Sequence, residues 1–140
     1  MSEYNLSRFV KAQHGTFDTA LAEIQRSRKT GHWMWFIFPQ MSGLGTSPTA
    51  QFYSIGSLDE AQAYLAHRVL GARLRQITEA LQDLVGTTAE RCLARSMRRS
   101  CKSSLTLFAA ADGDGSIFSA ALERWFHGEQ DARTLQLLAP

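Results

Sequence analysis

Little in this sequence staples, anchors or divides a fold. Its only two cysteines, Cys92 and Cys101, show no C-x-x-C spacing. In a chain without an export signal such cysteines are expected to be free thiols. No apolar run approaches the ~20 residues that a bilayer-spanning helix needs; the most apolar stretch, 33–39, is far shorter. The opening MSEYNLSRFV lacks a basic segment followed by a long apolar run, so no secretory signal is visible and a cytoplasmic location is expected. No charge of one sign dominates. A formal net charge of +2 implies no partner by itself. No repeat of solenoid period and no low-complexity linker interrupts the 140 residues, which read as one domain, 1–140. What is present is an ordinary globular balance, 44% hydrophobic and 20% charged. That is enough for a core without disulfides or metal.

Helical periodicity dominates the chain. Asn5 is placed to cap a first helix carrying Leu6, Phe9 and Val10, and Thr16 a second. Phe17, Ala20, Leu21 and Ile24 fall at i, i+3, i+4 and i+7. Asp18 in the first turn suits the helix dipole, as do Arg28 and Lys29 near the end, with Gly31 as a stop. Ser57 and Glu60 form an S-x-x-E capping box, after which Leu58, Ala61 and Leu65 share a face. Leu70, Leu74, Ile77, Leu81 and Leu84 continue at steps of four and three, ending at Gly86. Thr87 and Glu90 offer another capping box, followed by Met97, Cys101, Leu105 and Phe108. Phe118, Ala121, Leu122, Trp125 and Phe126 make one more stripe behind a cap at Ser116, closed by His127 and Gly128. Asp131 or Thr134 starts a terminal helix through Leu135 and Leu138.

Two segments, 33–38 and 52–55, are instead rich in strand-favouring residues and would pair as a small hairpin. A buried helical turn is favoured for 33–38, and Pro39 must break it. The expected fold is all-α: a compact, irregular domain of about six to eight helices.

His-Trp-Met-Trp-Phe-Ile-Phe-Pro-Gln (32–40), followed by Gly43-Leu44-Gly45 and Ser47, resembles the signature of the DUF1810 family. Arg8-Phe9, Ala12-Gln13 and Ala20-Leu21 match upstream. Tyr53-Ser54-Ile55, Glu60-Ala61, Ala63-Tyr64-Leu65, His67, Ser103-Ser104 and Thr106-Leu107-Phe108 match downstream. The resemblance implies a mainly helical protein and brings no established activity with it. The calpastatin label that often travels with such sequences finds no support, since inhibitors of that kind are long, disordered and repetitive. Arg68 stands where members usually carry proline. Met97 and Ser100 stand where an aspartate and a lysine are common.

The candidate chemistry lies in three places. His32, Trp33, Trp35 and Gln40 would line a pocket, with indole faces for planar rings or cations and a carboxamide that both donates and accepts. Ser47, Tyr53, His67 and Lys102 join as polar contributors, Lys102 toward an anion and a histidine for proton transfer. Simple core packing of the aromatics is the competing reading. Gly43-Leu44-Gly45-Thr46-Ser47 would let a backbone approach a phosphate, although neither dinucleotide nor P-loop spacing is present and Ser47 serves equally as the cap of a helix opening at Pro48.

Arg91, Arg95, Arg98, Arg99 and Lys102 share one face if their helix is continuous, a surface for nucleic acid or an acidic protein or merely a solvated face. No aromatics interleave them, and nucleic acid is not expected. Asp112-Gly113-Asp114-Gly115-Ser116 begins like a calcium loop, but Ile117 takes the place of the required glycine. The four histidines form no ligand pair. No metal, cofactor or membrane partner is expected. The sequence reading favours a binder of, or enzyme acting on, a planar, phosphorylated or nucleotide-like small molecule. The alternative is an interaction module acting through the basic face.

Overall fold

The computed structural model describes residues 4–26, 33–88, 91, 95–113 and 115–139, the side chains of 95–97 excepted. Nine helices form among them: α1 (Ser7–Gln13), α2 (Phe17–Gln25), α3 (Met34–Ile37), α4 (Pro48–Phe52), α5 (Leu58–Ala66), α6 (Leu70–Gln82), α7 (Arg95–Asp112), α8 (Ile117–Phe126) and α9 (Ala132–Leu138). The seven longer ones fall within the expected six to eight; the short ones are α3 and α4. The only β pairing among the described residues is a parallel bridge between Met41 and Ile55. The expected stops at Gly31, with Arg28 and Lys29, and the Glu90 half of the second capping box lie outside the described residues.

α7 is the hub. It packs against α3, α5, α8 and α9, while α6 packs against α2, α5 and α8. Along α7, Cys101, Leu105 and Phe108 repeat at steps of four and three, and all are buried. The opposing stripes come from α6 (Leu70, Leu74, Ile77, Leu81) and α8 (Phe118, Ala121, Leu122, Trp125). Phe108 lies 5.2 Å from Tyr64 and 5.9 Å from Phe118, ring centre to ring centre, so the aromatic packing runs through the middle of the bundle.

Several caps are as expected. Ser47 Oγ accepts from Ala50 N, Ser57 Oγ from Glu60 N and Ser116 Oγ from Ser119 N. His127 takes a left-handed conformation at φ 57°, closing α8 ahead of Gly128. Asn5 and Thr16 make no side-chain cap. The Asn5 carboxamide oxygen instead accepts from Ser7 Oγ at 2.7 Å, and Thr16 sits in helical geometry.

The largely buried Arg8–Glu60 pair ties the first helix to the fifth. Arg8 Nη2 lies 3.0 Å from Glu60 Oε2 and also donates to the Ser54 carbonyl at 2.8 Å, while Nε donates to the Phe52 carbonyl. Glu60 Oε1 accepts from Gly56 N at 2.8 Å. This network fixes the turn at 53–54 that leads to the bridging residue Ile55. Ile55 in turn anchors the next loop, donating to the Gln40 carbonyl at 2.9 Å and accepting from Ser42 N at 2.8 Å.

Candidate functional site

That anchored loop, 40–47, forms one wall of a cleft of about 950 Å³. Trp35 and Gln40 stand at its start, and Gly43 to Ser47 run along it. Arg99, Ser100 and Ser103 of α7 face them, and Asp131 and Arg133 at the head of α9 complete the lining. Gly43 adopts φ +100°, and a Cβ on Gly45 would fall 2.4 Å from the Ala50 Cβ. The loop therefore closes onto α4 only because glycine stands there.

The two tryptophans part company. Trp33 is 1% exposed, and its indole N–H donates to the buried Glu23 carboxylate at 2.9 Å. Trp35 is half-buried and lines the cleft. The helical turn at α3 explains the difference, because residues two apart on a helix are rotated by ~200° about its axis and point to nearly opposite sides.

The cleft has a distinct charge pattern. Arg99 and Arg133 are both exposed. Neither guanidinium has an ion-pair or hydrogen-bond partner among the described residues. Asp131 supplies one carboxylate. Its Oδ2 accepts from Thr134 N at 2.9 Å and from Thr134 Oγ1 at 2.6 Å. Its own N–H donates to Thr106 Oγ1 at 2.9 Å, and that hydroxyl donates onward to the Lys102 carbonyl. Asp131 is therefore held from both sides, while its Oδ1 receives no hydrogen bond from a described residue. Ser103 is buried and donates to the Arg99 carbonyl at 3.0 Å.

Of the candidates read from the sequence, Trp35, Gln40 and Ser47 meet in this cleft, with Arg99 from the basic stripe. Trp33 is sealed in the core. The Tyr53 ring packs among Phe9, Phe36 and Phe52, 4.8 to 5.9 Å between centres. His67 Nδ1 accepts from the Val69 and Leu70 amides at 3.2 Å, serving the start of α6. Lys102 is ion-paired with Glu129, whose carboxyl is held below its usual range by that donated hydrogen bond. His32 lies outside the described residues.

The basic stripe is divided in the same way. Arg98 is half-buried, Lys102 is engaged and Arg99 turns to the cleft. Residues 92–94, between Arg91 and α7, and the Arg95 side chain lie outside the description. The calcium-like run is used otherwise: Asp112 pairs with Arg75, and Ser116 caps α8. Asp131, Arg133, Ser100 and Ser103 are lining residues that no motif singles out as a group. Asp131 is legible only as a cap, and Ser100 only as a departure from the family pattern.

Comparison with known proteins places this architecture. The model of a family described as "Protein of unknown function (DUF1810)" matches residues 3–138. The chain belongs to the DUF1810 family. Its fold is also similar to that of a solved structure, the conserved hypothetical protein Rv1873 from Mycobacterium tuberculosis. The two share 42% sequence identity with a TM-score of 0.96, and the match covers 99% of each chain. No curated protein matches the chain. In this DUF1810 member the 32–40 block thus divides its labour: Trp33, Met34, Ile37 and Phe38 are core, while Trp35 and Gln40 line the cleft. Among the described residues no helix is long and apolar enough to cross a membrane.

Proposed function

We propose that this protein binds a small, planar, anionic molecule, such as a phosphorylated aromatic compound, in the cleft between the 40–47 loop, α7 and the head of α9. The observation that carries the reading is the pair of guanidinium groups, Arg99 and Arg133, without an ion-pair partner among the described residues and in the same cleft as the half-buried Trp35 indole. Guanidinium forks match phosphate and carboxylate geometry bidentately. An indole face offers stacking to a flat ring. Gly43 and Gly45 let the loop close onto its neighbours, so that Leu44, Thr46 and Ser47 form the facing wall. A cleft of about 950 Å³ is within the range of small-molecule sites.

Phenyl phosphate is a suitable probe, because it combines one flat ring with one phosphate. Isothermal titration calorimetry should give saturable binding that weakens as salt is raised. A hydrogen bond to a charged group is worth ~1.5–3 kcal/mol, so Arg99→Gln or Arg133→Gln should each weaken binding about tenfold or more. Trp35→Ala should weaken phenyl phosphate more than inorganic phosphate, with the melting temperature kept within a few degrees. Absence of binding, or binding indifferent to all three substitutions, refutes the reading.

A further inference from the structure

The carboxylate is the unexpected member of this cleft. A site for a bare anion gains from arginines and loses from an aspartate, since like charges brought together are repelled. Asp131 does not act as an internal counter-ion either, because it forms no ion pair with Arg99 or Arg133. It is nonetheless firmly positioned, by Thr134 at Oδ2 and by Thr106 at its own amide.

A carboxylate offers about four lone-pair sites. Thr134 N and Oγ1 occupy those of Oδ2; no described residue donates to Oδ1, which leaves its two sites for donors on a ligand. Two kinds of donor would serve, cationic amines or neutral hydroxyls. Two arginines in the same cleft disfavour an amine, so hydroxyls fit best. Two acceptor sites on one oxygen match two adjacent hydroxyls.

We infer that the ligand is a phosphate ester carrying a vicinal diol, its phosphate on Arg99 and Arg133 and its hydroxyls on Asp131. The inference rests on the proposed binding function and specifies its substrate class. Two sources share this chemistry. In a nucleoside monophosphate the base stacks on Trp35; in a sugar phosphate the C–H face of the sugar does. The side-chain amide of Gln40 and the hydroxyls of Ser47 and Ser100 line the same cleft and supply neutral hydrogen bonding to either.

The test is a calorimetric series on the full chain with adenosine 5′-monophosphate, 2′-deoxyadenosine 5′-monophosphate, ribose 5-phosphate, phenyl phosphate and inorganic phosphate. Loss of one hydroxyl bonded to a carboxylate should weaken binding about tenfold or more, so the 2′-deoxy compound should bind correspondingly less tightly than its ribose counterpart. Asp131→Asn should abolish that discrimination, because it puts an amide in place of the carboxylate while keeping a favoured helix cap. It should also hold inorganic phosphate at least as tightly as the wild type. Asp131→Ser, another favoured cap residue, serves as a second variant should the first unfold.

Tighter binding of the nucleotide than of ribose 5-phosphate identifies the nucleoside as the source, and the reverse order the sugar; either supports the inference. Equal affinity for the ribose and deoxyribose compounds overturns it, as does discrimination that survives both Asp131 variants. Phenyl phosphate binding that depends on Arg99 and Arg133 would meanwhile leave the broader function standing.

Discussion

At Gly45 an added methyl group would lie 2.4 Å from the Ala50 Cβ, well inside van der Waals contact. The loop is pinned on one side by the Ile55–Gln40 hydrogen bond and on the other by the Ser47 cap of α4, so it cannot simply move away. Gly45→Ala should therefore cost ~1–3 kcal/mol as an overpacking substitution, read by urea denaturation. It should also weaken phenyl phosphate binding by displacing the wall that carries Thr46 and Ser47. Unchanged stability together with unchanged binding would mean that this wall is soft.

The same residue scale shows what the sequence makes legible. The tryptophans at 33 and 35 are conspicuous, but grouping both in one pocket requires the alternation of a strand. A helical turn, which is what forms, sends one indole inward and the other to the cleft. The two features are incompatible, and the structure settles which indole remains available. Arg133 and Asp131 could not be associated with Arg99 from spacing, because more than 30 residues separate them and only the packing of α9 on α7 brings them together.

At the scale of elements, helix caps were readable wherever Ser or Asp stands before an apolar period, as at Ser47, Ser57, Ser116 and Asp131. The S-x-x-E box was readable only by half. Ser57 caps α5 as expected, but the Glu60 carboxylate reaches back to Gly56 N and across to Arg8, a partner 52 positions away. Such a pairing leaves no periodic trace.

It is also mechanically important, since Arg8 holds the Phe52 and Ser54 carbonyls that lead to the bridge under the cleft loop. Removing one partner from a fully buried pair costs ~3–5 kcal/mol. Here Arg8 is half-buried and keeps the Phe52 and Ser54 carbonyls, so the cost falls to ~1–3 kcal/mol, that of a hydrogen bond to a charged group. Glu60→Gln should lower the unfolding free energy by about that smaller amount in guanidinium chloride titration. The amide oxygen still serves Gly56, so the loss reports the Arg8 charge. A loss below ~1 kcal/mol, the scale of exposed pairs, would show that water already reaches this pair.

Over the whole molecule, α6 and α8 were legible because each buries one continuous stripe. α7 was legible by the period of Cys101, Leu105 and Phe108, although residues 103–109 of α7 are buried on every side. The way these helices clamp together was not legible. Arg75 of α6 and Asp112 at the end of α7 form a two-pronged contact, Nη1 to Oδ2 and Nη2 to Oδ1, both 3.0 Å. Sequence alone offers Asp112 as the start of a calcium-like loop. The Arg75 guanidinium, chiefly through its donated hydrogen bonds, holds the Asp112 carboxyl below its ordinary value of 3.8. A carboxyl whose folded-state value is depressed binds its proton more readily in the unfolded chain. Its stabilising contribution is thus complete above the ordinary value and is lost as pH falls below it, through the folded-state value. The pair is partly exposed, with 42% of the Arg75 side chain and 26% of the Asp112 side chain accessible, so the contribution is held to ~1 kcal/mol or less by solvent screening. Melting temperatures followed from pH 6 to pH 2 should show Asp112→Asn less stable than the wild type at the upper end, with the two curves converging once the wild-type carboxyl is protonated. Curves that stay parallel down to the lowest pH would mean that the clamp between α6 and α7 works through shape and neutral hydrogen bonds, with charge contributing nothing.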